Sequence, residues 1–273
     1  MCTRDFDGGV TFIFQPAEEG SGVTCEMVKQ GLLERFPCKS VFALHNLPDL
    51  PVGTTATRPA AIMAVADRFD IVVTAAAVMR PSPIARLTRC WRRRNSSPSC
   101  TPSLAPRVTD RERRALDTRI GGSQSHNVLP SAVELTGTVR SFDAKVQDTI
   151  EQAIRSVAAG VALGSGTSIE VEYNRYYPAT INTHGEAQLA LEVARQAGLE
   201  VAVAPSPAFT SEDFAFMLQQ CPGAYLWLGQ ARKPDDVPPH HPSYDFNDDP
   251  LAGGVRLFRH GGSALAQVLS CMA

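Results

Sequence analysis

The chain has 273 residues, 44% of them hydrophobic, and a formal net charge of −2. This length allows one large or two modest domains with a buried core, and the balanced charge excludes a general preference for polyanions such as nucleic acid. The seven scattered cysteines form no C-x-x-C pair, the N-terminus has no signal-like pattern, and no apolar run approaches ~18 residues. We therefore expect a cytoplasmic protein with no disulfide framework and no membrane span.

The first predicted strand, residues 9–15, is followed closely by two adjacent carboxylates. The strand is rich in β-branched and aromatic residues, and Glu18 and Glu19 come just after it. The pair either forms a solvated acidic turn or faces a group that compensates its charge, because an unpaired carboxylate is costly to bury. With a divalent metal, one carboxylate could bind the ion while the other moves the protons of a water molecule.

Two later segments carry histidines suited to the same kind of site. After a predicted helix over 23–34, a short apolar strand over 41–46 has His45 near its end, the usual position of a ligand in an open α/β sheet. His240 and His241 lie between prolines, which stiffen the backbone. A single histidine is more often structural than metal-binding, but two such sites and a glutamate pair indicate a metal bound by nitrogen and oxygen.

An arginine-rich run interrupts the middle of the chain. Residues 80–119 hold eleven arginines, no lysine and three acidic residues, with no helical or strand period. One interpretation is a basic patch for nucleic acid or a membrane, although the run lacks interleaved aromatic residues beyond Trp91. The elements predicted around it are strands over 67–74, 132–142 and 168–173 and a helix over 144–162.

The last part of the chain is predicted to contain a helix over 186–197, a strand over 224–229 and a helix over 251–268. Between the first two, Ser211 precedes two acidic residues, an arrangement that fits a helix N-terminus with a serine cap. Beyond the paired histidines, Asp245 either orients a ligand histidine or belongs to a polar turn.

Several segments, taken in chain order, resemble the M20 metallopeptidase and amidohydrolase family. The resemblance is to the branch of hippurate hydrolase, N-acyl-amino-acid amidohydrolases and plant auxin-conjugate hydrolases. Each motif alone is weak, but together they cover nearly the whole chain and make the resemblance specific. The matching segments are FIFQPAEEG (12–20), ALHN (43–46), PVGT (51–54), IMA (62–64), NVLP (127–130), GTVRSF (137–142), SEDF (211–214) and HHPSYDF (240–246).

The resemblance implies an α/β fold. A partial zinc-peptidase-like catalytic domain, with a mixed sheet and flanking helices, would comprise residues 1–65 and 179–273, with its upstream portion missing. An inserted α+β lid and dimerisation domain would comprise residues 66–178. The implied partners are a small-molecule N-acyl amino acid and a second copy of the chain bound through the lid, with no nucleic acid and no membrane.

The resemblance also implies hydrolysis of the amide bond of hippurate-like N-acyl amino acids at a site with two divalent metal ions, which would be Zn, Mn, Co or Ni. Glu18 would be the general base, taking a proton from the attacking water and returning it to the leaving amine. Glu19, His45 and His240 would be metal ligands; His240 rather than His241 matches the position of the family's ligand.

Other residues would assist these groups, again by resemblance. Asn127 and Arg140 would hold the carboxylate of the substrate and the developing oxyanion. The SEDF segment lies near the site in the family. Glu212, Asp213 and Asp245 would therefore orient the metal ligands without binding the metal themselves.

The chain departs from the family pattern at its start. The family carries a Cys-Gly-His-Asp-x-His-Thr motif upstream of the glutamate pair, which supplies a cysteine and a histidine ligand, and the present sequence has no such motif. The alternative interpretation is therefore an inactive remnant of such an enzyme, at most a metal- or protein-binding fragment.

A second departure begins in the arginine-rich part. After the strand over 67–74 the family has Gly-x-Gly-Gly-His-Ala-Ala-x-Pro-His, whereas residues 75–84 read AAAVMRPSPI. GC-rich codons for these residues, read from the third base, encode Gly-Gly-Gly-His-Ala-Ala-Val-Pro-His. We interpret residues 75–119 as translated out of frame between two compensating slips. Sequencing the coding DNA tests this, since codons that cannot yield histidine there would exclude it.

Overall fold

The computed structural model describes residues 9–16, 23–75, 113–122, 130–232, 237 and 239–270. The helices, in chain order, are α1 (Val23–Lys29), α2 (Leu32–Arg35), α3 (Ala144–Ser165), α4 (His184–Gln196), α5 (Ala215–Leu218) and α6 (Leu251–Ser270). The strands are β1 (Val41–Pro51), β2 (Thr54–Thr57), β3 (Ala60–Met63), β4 (Ala66–Ala75), β5 (Arg113–Gly121), β6 (Ala132–Ser141), β7 (Thr167–Tyr177), β8 (Thr180–Asn182), β9 (Glu200–Val203) and β10 (Gly223–Ala231).

The chain divides into two compact units. Unit 1 comprises Met1–Ile62, Thr180–Ala208 and Glu212–Ala273, and unit 2 comprises Met63–Ala179 and Phe209–Ser211. The sequence-based boundaries at 65/66 and 178/179 lie close to these limits. The catalytic and lid roles given to the two parts stay predictions.

The described part of unit 1 is built on a four-stranded mixed sheet in the order β1-β10-β2-β9. β1 and β10 are parallel, paired from Val41 with Gly223 to Leu47 with Gly229, whereas β2 runs antiparallel to β10 and parallel to β9. β10 is buried along almost its whole length, in keeping with its continuous apolar sequence, which is typical of a central strand.

The core of unit 1 joins this sheet to α4 and α6. Ala224, Leu226 and Leu228 alternate along β10, so they point to the same face of the sheet. Alanines on one face of α4 allow close packing against them. The buried cluster comprises Ala187, Ala190, Val193, Ala194, Leu199, Ala224, Leu226, Leu228 and Leu257.

In unit 2 the described residues form a four-stranded antiparallel sheet in the order β5-β6-β4-β7, with α3 packed against it. Ile150 and Ile154, one turn apart on α3, contact Phe69 of β4 and Val139 of β6 in a buried cluster. The helical period predicted for this segment therefore corresponds to a real packing face.

Most predicted elements are present with limits shifted by a few residues, and the mixed α/β class is confirmed. Two predictions are wrong. Residues 9–15 form no regular strand, and in the described part of the chain β1 has β10 as its one sheet neighbour. The helix predicted over 23–34 is split into α1 and α2, because Gly31 between them adopts a φ of +84°.

β5 lies partly in the segment interpreted as out of frame. It pairs with β6 from Arg113 with Ser141 to Gly121 with Glu134. An antiparallel edge position is held by backbone hydrogen bonds, which almost any sequence can provide. The frame-slip interpretation itself stays a prediction, and residues 76–112 lie outside the described residues. No helix in the described ranges is long and apolar enough to cross a bilayer.

Candidate functional site

Three of the predicted site residues, Glu18, Glu19 and Asn127, lie outside the described residues. The structure describes the other predicted site residues: His45, Arg140, Glu212, Asp213, His240 and Asp245. All of these except Arg140 belong to unit 1.

His45 lies in β1 with its side chain exposed. Its Nδ1 is 2.7 Å from the carbonyl oxygen of Asn46. If Nδ1 carries the proton and donates it to this carbonyl, Nε2 keeps its lone pair, which is the arrangement that metal-binding histidines usually have. The His45 ring also lies near the ring of Tyr225 on the neighbouring strand, with centroids 6.3 Å apart.

The loop that carries His240 is joined to the residue after His45. Asn46 Nδ2 donates to the Tyr244 hydroxyl at 2.5 Å, and that hydroxyl donates to Gln230 Oε1 at 2.8 Å. Asn46 Nδ2 also contacts Gln230 Oε1, and Gln230 is buried. These bonds bring two segments that are distant in sequence to the same part of unit 1.

His240 and His241 differ in what their surroundings allow. His240 is exposed and has a φ of +68°, an uncommon conformation for a residue other than glycine. His241 Nδ1 accepts a hydrogen bond from the backbone N–H of Ser243 at 3.1 Å. A neutral His241 in this arrangement carries its proton on Nε2, so neither ring nitrogen offers a lone pair to a metal. The local chemistry thus favours His240 over His241 as a ligand.

Glu212 is a buried carboxylate next to the His45 region. The Tyr225 hydroxyl donates to Glu212 Oε2 at 2.9 Å, and the backbone N–H of Asp213 donates to Oε1 at 3.1 Å. Burial raises the pKa of Glu212; the hydrogen bonds oppose this and the Asp213 charge adds to it. Tyr225 therefore contacts both His45, by its ring, and Glu212, by its hydroxyl.

Asp213 is fully buried. Its carboxylate accepts hydrogen bonds from residues on both sides of the glutamate pair in the sequence. Its Oδ1 accepts from Gln15 Nε2 at 2.7 Å, and its Oδ2 accepts from the backbone N–H of Thr24 at 3.1 Å. Gln15 Nε2 also donates to Thr24 Oγ1 at 2.8 Å. Gln15 precedes Glu18 and Thr24 follows Glu19. The Asp213 carboxylate therefore binds one residue before the glutamate pair and one residue after it.

The interpretation of SEDF as a serine-capped helix N-terminus is wrong. α5 begins at Ala215, after both acidic residues, and Phe214 at its N-cap makes no side-chain capping bond. Glu212 and Asp213 are instead held by the tertiary hydrogen bonds described above. Asp245 is 81% exposed at its side chain and pairs with Arg232 at 2.9 Å, so its predicted support of His240 stays a prediction.

Arg140 lies in unit 2, on β6. Its Nη1 donates to Ser211 Oγ at 2.6 Å, and burial lowers its pKa while the nearby Asp67 carboxylate opposes that change. The half-buried guanidinium thus has a neutral hydroxyl as its hydrogen-bond partner and a carboxylate within electrostatic range. Such a group is suited to binding an anionic ligand group.

Several residues of this region were missed by sequence reasoning, namely Gln15, Thr24, Asn46, Tyr225, Gln230 and Tyr244. Gln15, Asn46 and Tyr244 fall within the segments that resemble the family, but nothing in the sequence signals that Asn46 and Tyr244 bond to each other. Within the described ranges, no three His, Cys, Asp or Glu side chains are grouped so that they could hold a metal ion. His45 and His240 could each contribute one ligand.

Comparison with characterised proteins gives relatives among deacetylases and hydrolases of N-acyl amino acids. The chain is 28% identical over 256 residues to N-acetylcysteine deacetylase of Bacillus subtilis, covering 93% of this chain and 66% of that protein. It is 27% identical over 262 residues to hippurate hydrolase of Campylobacter jejuni, covering 94% of this chain and 67% of that protein. The chain thus spans about two thirds of the length of these relatives.

Solved structures give the same result at the level of the fold. The chain matches the Bacillus subtilis YXEP protein, described as a dinuclear metal binding peptidase from the M20 family, with a TM-score of 0.77 and 28% identity. The match covers 97% of this chain and 67% of that one. The model of Peptidase family M20/M25/M40 matches residues 2–260. The resemblance inferred from the motifs is confirmed: the chain belongs to Peptidase family M20/M25/M40.

Proposed function

We propose that the chain supplies the base and metal ligands of an amidohydrolase that cleaves the amide bond of N-acyl amino acids. Glu18 is the general base in this proposal, and Glu19, His45 and His240 bind divalent Zn, Mn, Co or Ni. A bound divalent ion would polarise the amide carbonyl and lower the pKa of the attacking water. The activities named for the deacetylase and hippurate hydrolase relatives support this substrate class.

The observation that supports the proposal most is the hydrogen bond from Asn46 to Tyr244. It joins the residue after one proposed ligand to the loop that contains the other, across 198 residues of sequence. The donor chemistry agrees with this arrangement, because His45 can present Nε2 while His241 uses its Nδ1 as an acceptor. Asp213 binds Gln15 and Thr24, which stand on either side of Glu18 and Glu19 in the sequence.

Substrate recognition is assigned to unit 2 in this proposal. Arg140 and Asn127 would bind the carboxylate of the N-acyl amino acid and the developing oxyanion. Arg140 suits the first role, because a planar guanidinium can bind a carboxylate through two parallel hydrogen bonds. Its observed partner, Ser211 Oγ, is neutral, so the positive charge of Arg140 is not cancelled by that bond.

Metal binding by the purified chain tests the ligand set. Equilibrium dialysis with Zn²⁺ or Mn²⁺ should show bound metal in the wild type, and affinity lower by about tenfold or more in His45→Asn and His240→Asn. His184→Asn replaces an exposed histidine at the start of α4 and is the matched control. Equal affinity in all four proteins would contradict the ligand set.

Hydrolysis of N-acetyl-L-cysteine and hippurate in the metal-loaded chain tests the reaction. Glu18→Gln should lower kcat by roughly 10²–10⁴-fold with metal affinity unchanged, because the base is lost and the ligands are kept. Glu34→Gln, at an exposed position, should act as the wild type. A wild type that binds metal without any hydrolysis would overturn the proposed activity and favour the metal-binding remnant.

We further propose that the chain forms a homodimer through unit 2. In that unit α3 exposes large apolar side chains, with Leu163 89% exposed, and such residues are favoured at contact surfaces. Sedimentation velocity at micromolar concentration should give a dimer. A species that stays monomeric over the whole concentration range would contradict this part of the proposal.

A further inference from the structure

Two cysteines that are far apart in sequence meet where β1 and β10 begin. The Sγ atoms of Cys38 and Cys221 are 3.7 Å apart, although 183 positions separate the two residues. Cys38 is exposed, whereas Cys221 is only 6% exposed. Neither residue belongs to the proposed amidohydrolase machinery, so the pair calls for its own explanation.

The sulfur atoms of this pair are close enough for a disulfide bond to form after a small movement. Cys38 and Cys221 lead into neighbouring parallel strands, which pair from Val41 with Gly223 onward, and Val41 N–H donates to the Pro222 carbonyl at 2.9 Å. Because adjacent strands lie about 4.8 Å apart, the segments that lead into them run close together at this end of the sheet. The sulfurs are already in van der Waals contact, so only a small further approach separates them from a disulfide bond.

The close approach of the two strands at this end is fixed by the backbone. A Cβ atom on Gly223 would lie 2.1 Å from the Val41 carbonyl oxygen, so the strands could not pair this tightly with a larger residue there. Cys221 is also anchored by its own backbone, because its N–H donates to the Met217 carbonyl at 2.9 Å. These backbone contacts therefore fix the position of Cys221 beside the start of β1.

We propose that Cys38 and Cys221 form a reversible disulfide, with a low-molecular-weight aliphatic disulfide such as oxidised glutathione as the oxidant. The exposed Cys38 thiolate attacks the small disulfide, which forms a mixed disulfide and releases one thiolate. Cys221 then loses its proton to solvent and attacks the Cys38 sulfur, which releases the second small thiol. The two protein thiols are oxidised and one small disulfide is reduced to two thiols.

Cys38 reacts first and Cys221 second because the two thiols have different surroundings. Burial, together with the hydrogen bond and charge of Cys38, raises the pKa of Cys221, so Cys221 loses its proton less readily than an ordinary thiol and is not the first to react. Its small exposed area also keeps a bulky oxidant away. Cys38 is the accessible partner, and Cys221 is placed to resolve the mixed disulfide.

The bond would fasten together the starts of the strands that carry His45 and Tyr225. It would close a loop of 183 positions in the unfolded chain, and closing so long a loop stabilises the folded state. We expect the oxidised chain to melt about 5 °C or more above the reduced chain. This inference does not depend on amidohydrolase activity.

Peptide mapping of the full chain tests the pair directly. The reduced protein is incubated with oxidised glutathione, free thiols are blocked with N-ethylmaleimide, and the digest is analysed by mass spectrometry without reduction. Trypsin places Cys38 in residues 36–39 and Cys221 in residues 196–232, each as the single cysteine of its peptide. We expect these two peptides joined, with a combined mass lower by two hydrogen atoms, and separated again by dithiothreitol.

Two cysteine variants complete the test: one removes the pair and the other is a control. Cys38→Ser should lose both the joined peptide and the gain in melting temperature on oxidation. Cys25→Ser removes a half-buried cysteine outside the pair and should keep both. Cys221 that remains fully labelled by N-ethylmaleimide, or Cys38 that carries only glutathione, would overturn the proposal, as would an oxidation-dependent gain in melting temperature in Cys38→Ser.

Discussion

Asp213 is a buried carboxylate that binds two residues remote from it in the sequence. Its two oxygens accept from Gln15 and Thr24, which stand at opposite ends of the segment that contains the glutamate pair. A buried carboxylate is tolerated only where it is hydrogen-bonded. The donors of Gln15 and Thr24 therefore stabilise the buried Asp213 carboxylate.

Replacing Asp213 tests this role. In Asp213→Asn an amide N–H₂ would face either Gln15 Nε2 or the Thr24 N–H, and one donor would lose its acceptor in a buried place. We expect a loss of about 1–3 kcal/mol in the free energy of unfolding, measured by urea denaturation. Asp49→Asn, at an exposed position, should change it by less than about 0.5 kcal/mol. Equal effects of both variants would contradict this role.

Asp67 is a second buried carboxylate, and it gives a prediction about pH. Gln147 Nε2 donates to both of its oxygens at 2.8 and 2.9 Å, and the Tyr173 hydroxyl donates at 2.6 Å. Burial nevertheless raises the pKa of Asp67 above its ordinary value of 3.8, against the lowering effect of these bonds. The folded state therefore holds this proton more tightly than the unfolded state does.

The sign of the pH dependence follows from that difference. The stabilising contribution of Asp67 is fully present below its unfolded pKa and is lost as the pH rises through the raised folded pKa. The free energy of unfolding of the wild type, relative to Asp67→Asn, should fall as the pH is raised from about 4 to 7. Urea denaturation at several pH values measures it, and a difference that is constant or rises with pH would contradict this assignment.

At the scale of an element, α3 is defined by its two ends as much as by its apolar face. Asp143 at the N-cap accepts from the N–H groups of Lys145 and Val146 at 2.7 and 3.2 Å. At the other end Gly166 adopts a φ of +66°, a left-handed conformation that glycine takes without strain. The helix therefore begins and ends where the backbone groups at its termini find partners.

Removing the N-cap should weaken α3 measurably. Asp143→Ala leaves the N–H groups of the first turn without a protein acceptor, and we expect a loss of about 1 kcal/mol in the free energy of unfolding. Asp143→Asn keeps a capping oxygen and should lose only a few tenths of a kcal/mol. Thermal denaturation followed by circular dichroism compares the two, and an equal loss would show that the cap is not the cause.

At the scale of the whole molecule, each unit contains a hydrophobic cluster formed by its own described residues. One cluster in unit 1 includes Leu226, and another in unit 2 includes Ile150. Because each core stabilises its own unit, the unfolding of the chain need not be a single two-state transition.

Core truncations in each unit test this. Leu226→Ala and Ile150→Ala should each cost about 2–5 kcal/mol, and in differential scanning calorimetry each should lower the transition of its own unit by the larger amount. Val203→Ala, at a 62% exposed position, serves as the control with a small effect. A single transition that both core variants lower equally would contradict independent cores.

Local pattern in the sequence was sufficient for much of the fold. The strand and helix periods of β4, β6 and α3 predicted elements that the structure contains, because alternation and helical spacing are fixed by backbone geometry alone. The pairing of strands was harder to predict from the sequence. Residues 9–15 have the composition of a strand but form no strand. Strand formation requires a neighbouring backbone as well as suitable residues.

The sequence by itself determined the family, the mixed α/β class and the choice of candidate residues such as His45 and His240, because motifs and periods are properties of consecutive residues. Only the tertiary structure decided that Asn46 bonds to Tyr244, that Asp213 holds both flanks of the glutamate pair, and that Cys38 meets Cys221. Each of these contacts joins residues far apart in the chain. Such contacts form only when the sheet brings distant strands side by side, and no local pattern records them.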